Sequence, residues 1–169
     1  MCAWAGANRG AALRSCVFLV VALCLAACGQ TTYHPPSTAP TGGLPDYEVK
    51  VGSVPGLGSV LVDGQGYTLY MFVPDHQSTS TCMGDCASGW PPVTLPVGVS
   101  APIAGPGIRA SLLGTSRRTD GTLQVTYNRW PLYLWVNDTI TGEATGQGLD
   151  NLGGLWYVLG PAGNVIRSQ

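Results

Sequence analysis

Charged side chains are scarce in this sequence. Lys and Arg number 8, Asp and Glu number 9, and together they make up 10% of the 169 residues, with a net charge of -1. The basic residues form no cluster, so the electrostatic footprint of a nucleic-acid-binding protein is missing and we expect no nucleic-acid partner. Glycine, threonine and proline are abundant instead, which favours turn-rich β structure over a helical bundle.

Local signatures of catalysis are missing as well. The sequence has no Gly-x-Ser-x-Gly, and Gly146-Gln147-Gly148 lacks both the lysine and the flanking βα unit that a phosphate-binding loop needs. We therefore expect no cofactor and a non-enzymatic role. An enzyme whose site is assembled only by the fold stays open, because distant residues leave no local motif.

No hydrophobic run is long enough to span a bilayer. The longest, Cys16–Ala27, has about 12 residues, whereas a transmembrane helix needs about 20. Arg9 and Arg14 precede this run, and it ends in the small residues Ala26 and Ala27, as in a secretory signal peptide. Leu25-Ala26-Ala27-Cys28 also resembles the bacterial lipobox, in which the cysteine is acylated, for example with palmitate. We predict removal of residues 1–27 and a lipid anchor at Cys28 on the extracytoplasmic side of the cell membrane.

The remaining chain divides into a tether and a β domain. Residues 28–46 are rich in proline and threonine and have no hydrophobic period, which is typical of a flexible segment. Residues 47–169 predict an all-β, mostly antiparallel domain made of two related units, about 57–96 and 110–163. We expect strands or hairpins at 48–54, 60–73, 110–127, 131–136 and 155–166, and a short helix near 85–89.

Two of these segments, 68–75 and 131–138, match at an offset of 63 positions. Tyr70-x-Phe72-x-x-Asp75 and Tyr133-x-Trp135-x-x-Asp138 resemble the Tyr-x-(Phe/Trp/Tyr)-x-x-Asp motif of the bacterial "secreted repeat" predicted lipoproteins. The stretches that follow, Cys82–Pro92 and Gly154–Val158, resemble that family too. The resemblance covers residues 57–163 and implies a duplicated β architecture with an envelope address, but no reaction. At Arg129-Trp130 the chain departs from the family's glycine and polar residue.

Strand alternation separates two kinds of side chain in each motif. Tyr70 and Phe72 oppose Leu69, Met71 and Val73, and Tyr133 and Trp135 oppose Leu132, Leu134 and Val136. The aromatic face either packs under the other unit or forms an open binding platform. Burial is favoured, because an exposed Phe or Trp forgoes about 1.5–3 kcal/mol of transfer free energy. Asp75 and Asp138 follow the strands and are expected to accept backbone hydrogen bonds in turns.

Cys82 and Cys86 are the only cysteines left after Cys28. An even pair in an exported protein indicates a disulfide, and Gly84 between them allows the chain to fold tightly. The alternative is a metal site formed by Asp75, His76, Cys82 and Cys86, which lie within 12 residues of one another.

These observations favour a membrane-anchored lipoprotein that acts as a non-enzymatic binding or interaction module of the cell envelope. Its partner is an envelope protein or a small ligand. The alternative function is an extracytoplasmic redox or metal-handling protein that uses the Asp75/His76/Cys82/Cys86 cluster.

The anchor is tested by changing its cysteine. We expect Cys28→Ala to abolish incorporation of a labelled fatty acid in cells, because the acylated thiol is lost. Continued labelling of the Cys28→Ala protein would contradict the anchor.

Overall fold

Short strands joined by tight turns make up nearly all the regular structure of this protein. The computed structural model describes residues 45–167. The strands are β1 Glu48–Val54, β2 Gly58–Asp63, β3 Tyr70–Phe72, β4 Ile103–Ala104, β5 Leu113–Arg117, β6 Leu123–Tyr127, β7 Trp130–Pro131, β8 Asp150–Asn151 and β9 Gly154–Val158. The helices are α1 Asp85–Gly89 and a 3-10 turn, Ala110–Leu112. The predicted all-β class and short helix are confirmed, whereas residues 1–27, Cys28 and the tether up to residue 44 lie outside the described residues.

The strands form three sheets with the orders β2-β1-β4, β3-β9-β8 and β5-β6-β7. Every pairing is antiparallel except that of β1 with β4. Neither of the helices between residues 45 and 167 is long or apolar enough to cross a membrane.

Two hairpins, β1–β2 and β5–β6, occupy matching places in the two halves of the domain. In the first turn Leu57 N–H donates to the Val54 carbonyl at 3.1 Å, and in the second Gly121 N–H donates to the Arg118 carbonyl at 3.0 Å. The segments that carry the motifs leave each hairpin in the same way. Leu69 N–H donates to the Leu61 carbonyl, and Leu132 N–H donates to the Val125 carbonyl, both at 3.0 Å.

The segments that carry the motifs, 69–72 and 132–135, divide the core into an aliphatic and an aromatic side. Leu69, Met71 and Leu132 are buried on the aliphatic side, together with residues of β1, β2 and β6. Tyr70, Phe72 and Tyr133 are buried on the aromatic side. The predicted alternation is therefore confirmed over residues 69–72 and 132–135. Of the expected strand 131–136, however, only Pro131 belongs to a strand, β7.

Beyond the strand ends the alternation no longer holds. Val73 is 38% and Val136 50% exposed, although the pattern placed both on the aliphatic face. The chain turns sharply after Phe72 and after Trp135, where Asp75 N–H and Asp138 N–H each bond back to a carbonyl three residues earlier. The expected hairpin at 60–73 is present as far as Leu69, and the strand that follows it, β3, pairs with β9.

The unusual Asn128-Arg129 turn joins β6 to β7. Both residues have positive φ, 46° and 68°, where the family resemblance placed a glycine near this turn. Asparagine tolerates this left-handed region better than most residues. The Asn128 side-chain amide also donates to the Gly163 carbonyl at 3.0 Å, which holds the turn in place.

Gly146 allows the closest backbone approach to the aromatic core. A Cβ at this position would lie 2.5 Å from Cη2 of Trp90 and 3.1 Å from Cε1 of Tyr70, and both rings are fully buried. We expect Gly146→Ala to lower the free energy of unfolding by about 1–3 kcal/mol, the usual cost of overpacking a core. Urea denaturation measures this.

The control is Gly114→Ala, whose Cβ would meet the Thr126 hydroxyl at 3.2 Å. Because that hydroxyl can move, we expect a smaller loss of stability. Equal losses in the two variants would contradict the close packing at Gly146.

Candidate functional site

The two copies of the motif meet at their tyrosines. Tyr70 N–H donates to the Tyr133 carbonyl at 2.9 Å, and Tyr133 N–H donates to the Tyr70 carbonyl at 3.0 Å. Both side chains are fully buried. This reciprocal pair lies at the junction of the two halves, so each half contributes the same residue to it.

The tyrosine side chains then cross to the other motif. Tyr70 Oη donates to Asp138 Oδ2 at 2.6 Å, and Tyr133 Oη donates to Asp75 Oδ2 at 2.6 Å. Each Tyr-x-x-x-x-Asp motif therefore has its tyrosine bound to the aspartate of the other copy. The crossing ties the two halves together through buried, charge-assisted hydrogen bonds.

The second oxygen of each aspartate organises the loop that follows it. Asp75 Oδ1 accepts hydrogen bonds from Thr81 N at 2.7 Å and Thr81 Oγ1 at 2.8 Å. Asp138 Oδ1 accepts from Thr145 N at 2.9 Å and Thr145 Oγ1 at 2.6 Å. The predicted backbone hydrogen bonds to the aspartates are thus present. A threonine follows each aspartate, six residues after Asp75 and seven after Asp138, and this is the signal that could have located the two loops.

Burial sets the protonation of these groups. Burial raises the pKa of Asp75, and the hydrogen bonds from Tyr133 and Thr81 act against that rise. Burial, reinforced by the Asp138 carboxylate, raises the pKa of Tyr70, and burial together with Asp75 does the same for Tyr133. At neutral pH both phenols therefore stay protonated and act as hydrogen-bond donors.

Four aromatic rings form a continuous stack beside these pairs. Phe72 stacks on Trp156 at 4.1 Å, Trp156 on Trp90 at 3.9 Å, and Trp90 on Trp135 at 4.1 Å between centroids. Rings from the two halves alternate along the stack, since Phe72 and Trp90 come from the first half and Trp156 and Trp135 from the second. The prediction that the aromatic faces are buried is confirmed, with Trp135 at one end of the stack half-buried.

A buried arginine extends the Tyr133–Asp75 pair and was not predicted. Arg118 is 5% exposed and donates to Ser80 Oγ at 2.7 Å; Ser80 Oγ lies 2.6 Å from Tyr133 Oη. Because Tyr133 donates to Asp75, the hydrogen bonds run in one direction from the arginine to the carboxylate. The other acceptors of Arg118 are Gln124 Oε1 at 2.8 Å, the Cys82 carbonyl at 2.8 Å and Met83 Sδ at 2.9 Å.

The cysteines form the predicted disulfide, with a Cα–Cα distance of 5.2 Å between Cys82 and Cys86. His76 is exposed, and Asp75 is engaged by Tyr133 and Thr81. Among residues 45–167 no group of three or more His, Cys, Asp and Glu side chains is arranged to hold a metal ion. The structure therefore does not bring the four residues of the metal alternative together as a ligand set.

A groove lies where the β1–β2 turn approaches the loop after Asp138. It has a volume of about 480 Å³ and is lined by residues 54–57 together with 142–145 and 147. The groove is open to solvent and close to the aromatic core, against which Leu57 and Ala144 pack. The described part of the chain thus combines a buried motif with a nearby surface concavity.

Comparison with known proteins identifies both halves. A family model described as a secreted repeat of unknown function matches residues 54–94 and 114–159. Each matched region contains one copy of the Tyr–Asp motif and the loop that its aspartate holds. The comparisons with curated proteins and with solved structures return no match.

The crossing of the motif is tested by double-mutant cycles. We expect Tyr133→Phe to lower the free energy of unfolding by about 1.5–3 kcal/mol, because a buried carboxylate loses a donor. Combined with Asp75→Asn, the two changes should be strongly non-additive, since they remove the same hydrogen bond.

The matched control pairs residues of the same motif. Tyr70→Phe combined with Asp75→Asn should show weaker coupling, because Tyr70 bonds Asp138 instead. Stronger coupling within a motif than between motifs, measured by urea denaturation, would contradict the crossed arrangement.

Proposed function

The chain belongs to the family of secreted repeats of unknown function, and from this membership we propose that it is an exported lipoprotein, anchored through Cys28, that acts as a non-enzymatic binding or interaction module of the cell envelope. The family places the protein outside the cytoplasm. The lipid and the binding role are the further steps of the proposal.

The observation that carries the binding role is that the polar groups of the Tyr–Asp motif are hydrogen-bonded within the protein. Its phenols donate to its carboxylates, and the carboxylates' remaining oxygens hold the threonine loops. Groups that could act as acids, bases or nucleophiles are thereby used to build a rigid scaffold. A scaffold of this kind suits recognition, because a rigid surface loses little conformational entropy on binding.

The anchor is supported by the order of features at the N-terminus. A short apolar run ends in Leu25-Ala26-Ala27-Cys28, and a proline-rich segment separates this cysteine from the first strand at Glu48. Lipid on Cys28 would hold the domain at the membrane surface, with the proline-rich segment as a spacer.

The binding role is tested by site-specific photo-crosslinking of the full-length protein in its native envelope. A photoreactive residue is placed at one exposed apolar position at a time. The positions are Val73, Val97, Ile103, Val136, Ile140 and Leu152. We expect one saturable product confined to neighbouring positions, since a docked partner covers one face.

Two outcomes would overturn the proposal. Crosslinking that is equally weak at all six positions would remove the binding role. Stoichiometric metal or a cofactor absorbance band in protein purified from its envelope, lost in His76→Ala, would favour the redox or metal-handling function instead.

A further inference from the structure

The two hairpin turns occupy equivalent positions but carry different side chains. The residue that closes the β1–β2 turn is Val54, and the residue that closes the β5–β6 turn is Arg118. Val54 pairs with Gly58 across its turn, and Arg118 N–H donates to the Thr122 carbonyl across the other. Val54 and Arg118 are therefore structural counterparts.

Each turn lies against the loop held by the opposite motif's aspartate. Arg118 contacts the Asp75 loop through Ser80 and Met83. The β1–β2 turn faces the Asp138 loop. When the two loops are aligned on the threonines that bond the aspartates, Ala144 corresponds to Ser80 and Gln147 corresponds to Met83. The two contacts are thus copies of one arrangement.

The copies differ in how the space between turn and loop is filled. In one half the long side chain of Arg118 fills it and reaches polar acceptors on Ser80 and Gln124. In the other half the counterparts of Arg118, Ser80 and Gln124 are shorter and apolar: Val54, Ala144 and Val60. The counterpart of Met83 is Gln147. A groove of about 480 Å³ lies at this contact, and Val54 and Ala144 are among the residues that line it.

The groove carries negative charge. Glu143 lines it, and neither lysine nor arginine is among its lining residues. One carboxylate oxygen, Oε2, accepts from the backbone amides of Thr139 at 3.2 Å and Ile140 at 3.4 Å, which positions the group at the rim. An apolar floor beside a carboxylate matches a side chain with an aliphatic stem and a cationic end.

We propose that this groove binds a basic side chain, arginine or lysine, of a partner polypeptide, so that the partner supplies the cation that Arg118 supplies within the chain in the other half. The aliphatic stem lies along Val54 and Leu57, and the charged end pairs with Glu143. This inference rests on the binding role proposed above and specifies the partner's chemistry.

Binding is measured by NMR titration of the full-length protein with pentapeptides Gly-Gly-X-Gly-Gly. X is arginine, lysine, citrulline or norleucine, so that charge and stem are varied separately. We expect shifts of the Gly142 and Ala144 amides with arginine and lysine, and at least tenfold weaker binding with citrulline and norleucine. The affinity should fall as salt is added, because the pair is exposed to solvent.

Variants test whether the peptide binds in the groove. Glu143→Gln keeps an oxygen for the backbone amides and should weaken binding of the arginine peptide about tenfold, whereas Asp150→Asn, at an exposed acid outside the groove, should leave it unchanged. Val54→Arg should fill the groove from within and abolish binding. If Val54→Arg does not fold, Glu143→Gln decides alone.

Three results would overturn the inference. The first is equal binding of the norleucine and arginine peptides, which would indicate that the groove takes an apolar ligand. The second is an unchanged affinity of the Glu143→Gln protein for the arginine peptide. The third is the absence of amide shifts with all four peptides. If crosslinking in the envelope still localises a partner to one face, the proposed binding role stands and only the assignment of the groove fails.

Discussion

The crossed hydrogen bonds between Tyr70 and Asp138 and between Tyr133 and Asp75 are the constraint on which the rest of the fold depends. Each bond joins a donor in one half to an acceptor in the other, inside a core that excludes water. In a separated half, both the phenol and the carboxylate would lose their partner, and a buried polar group without one costs about 1–3 kcal/mol. The duplicated sequence is therefore a single folding unit rather than two domains side by side.

Duplication gave the two halves the same framework and different interiors. The Tyr–Asp pairs, the threonine loops and the hairpin turns coincide, whereas Arg118 and Ser80 form a buried polar network in one half only. Filling one copy of the contact strengthens the scaffold. The other copy stays open and leaves a concave surface close to the core, so under the proposed binding role stability and recognition are divided between equivalent places.

Much of the fold follows from local sequence. The alternation of Leu69 with Tyr70, the short helix at 85–89 and the Cys82–Cys86 disulfide depend on neighbouring residues and are predictable. The crossing is not, because spacing within a motif suggests that Tyr70 and Asp75 belong together. The burial of Arg118 was not predicted, because Arg117 and Arg118 stand side by side before a turn and look alike in the sequence. Arg118 is buried and Arg117 is exposed only because the hairpin packs onto the Asp75 loop. Val73 and Val136 were misplaced because the chain turns after the strands, where period-two alternation stops.

The pairing of β3 with β9 has a consequence for how the protein reaches its destination. Tyr70–Phe72 finds its strand partner only at Trp156–Val158, and Phe72 stacks on a ring from the same late segment. A chain that crosses a membrane N-terminus first cannot complete its first half until residue 158 has emerged. Such long-range contacts slow folding. The repeat topology thus delays compaction of the first half until the last strand, β9, is available to pair with β3.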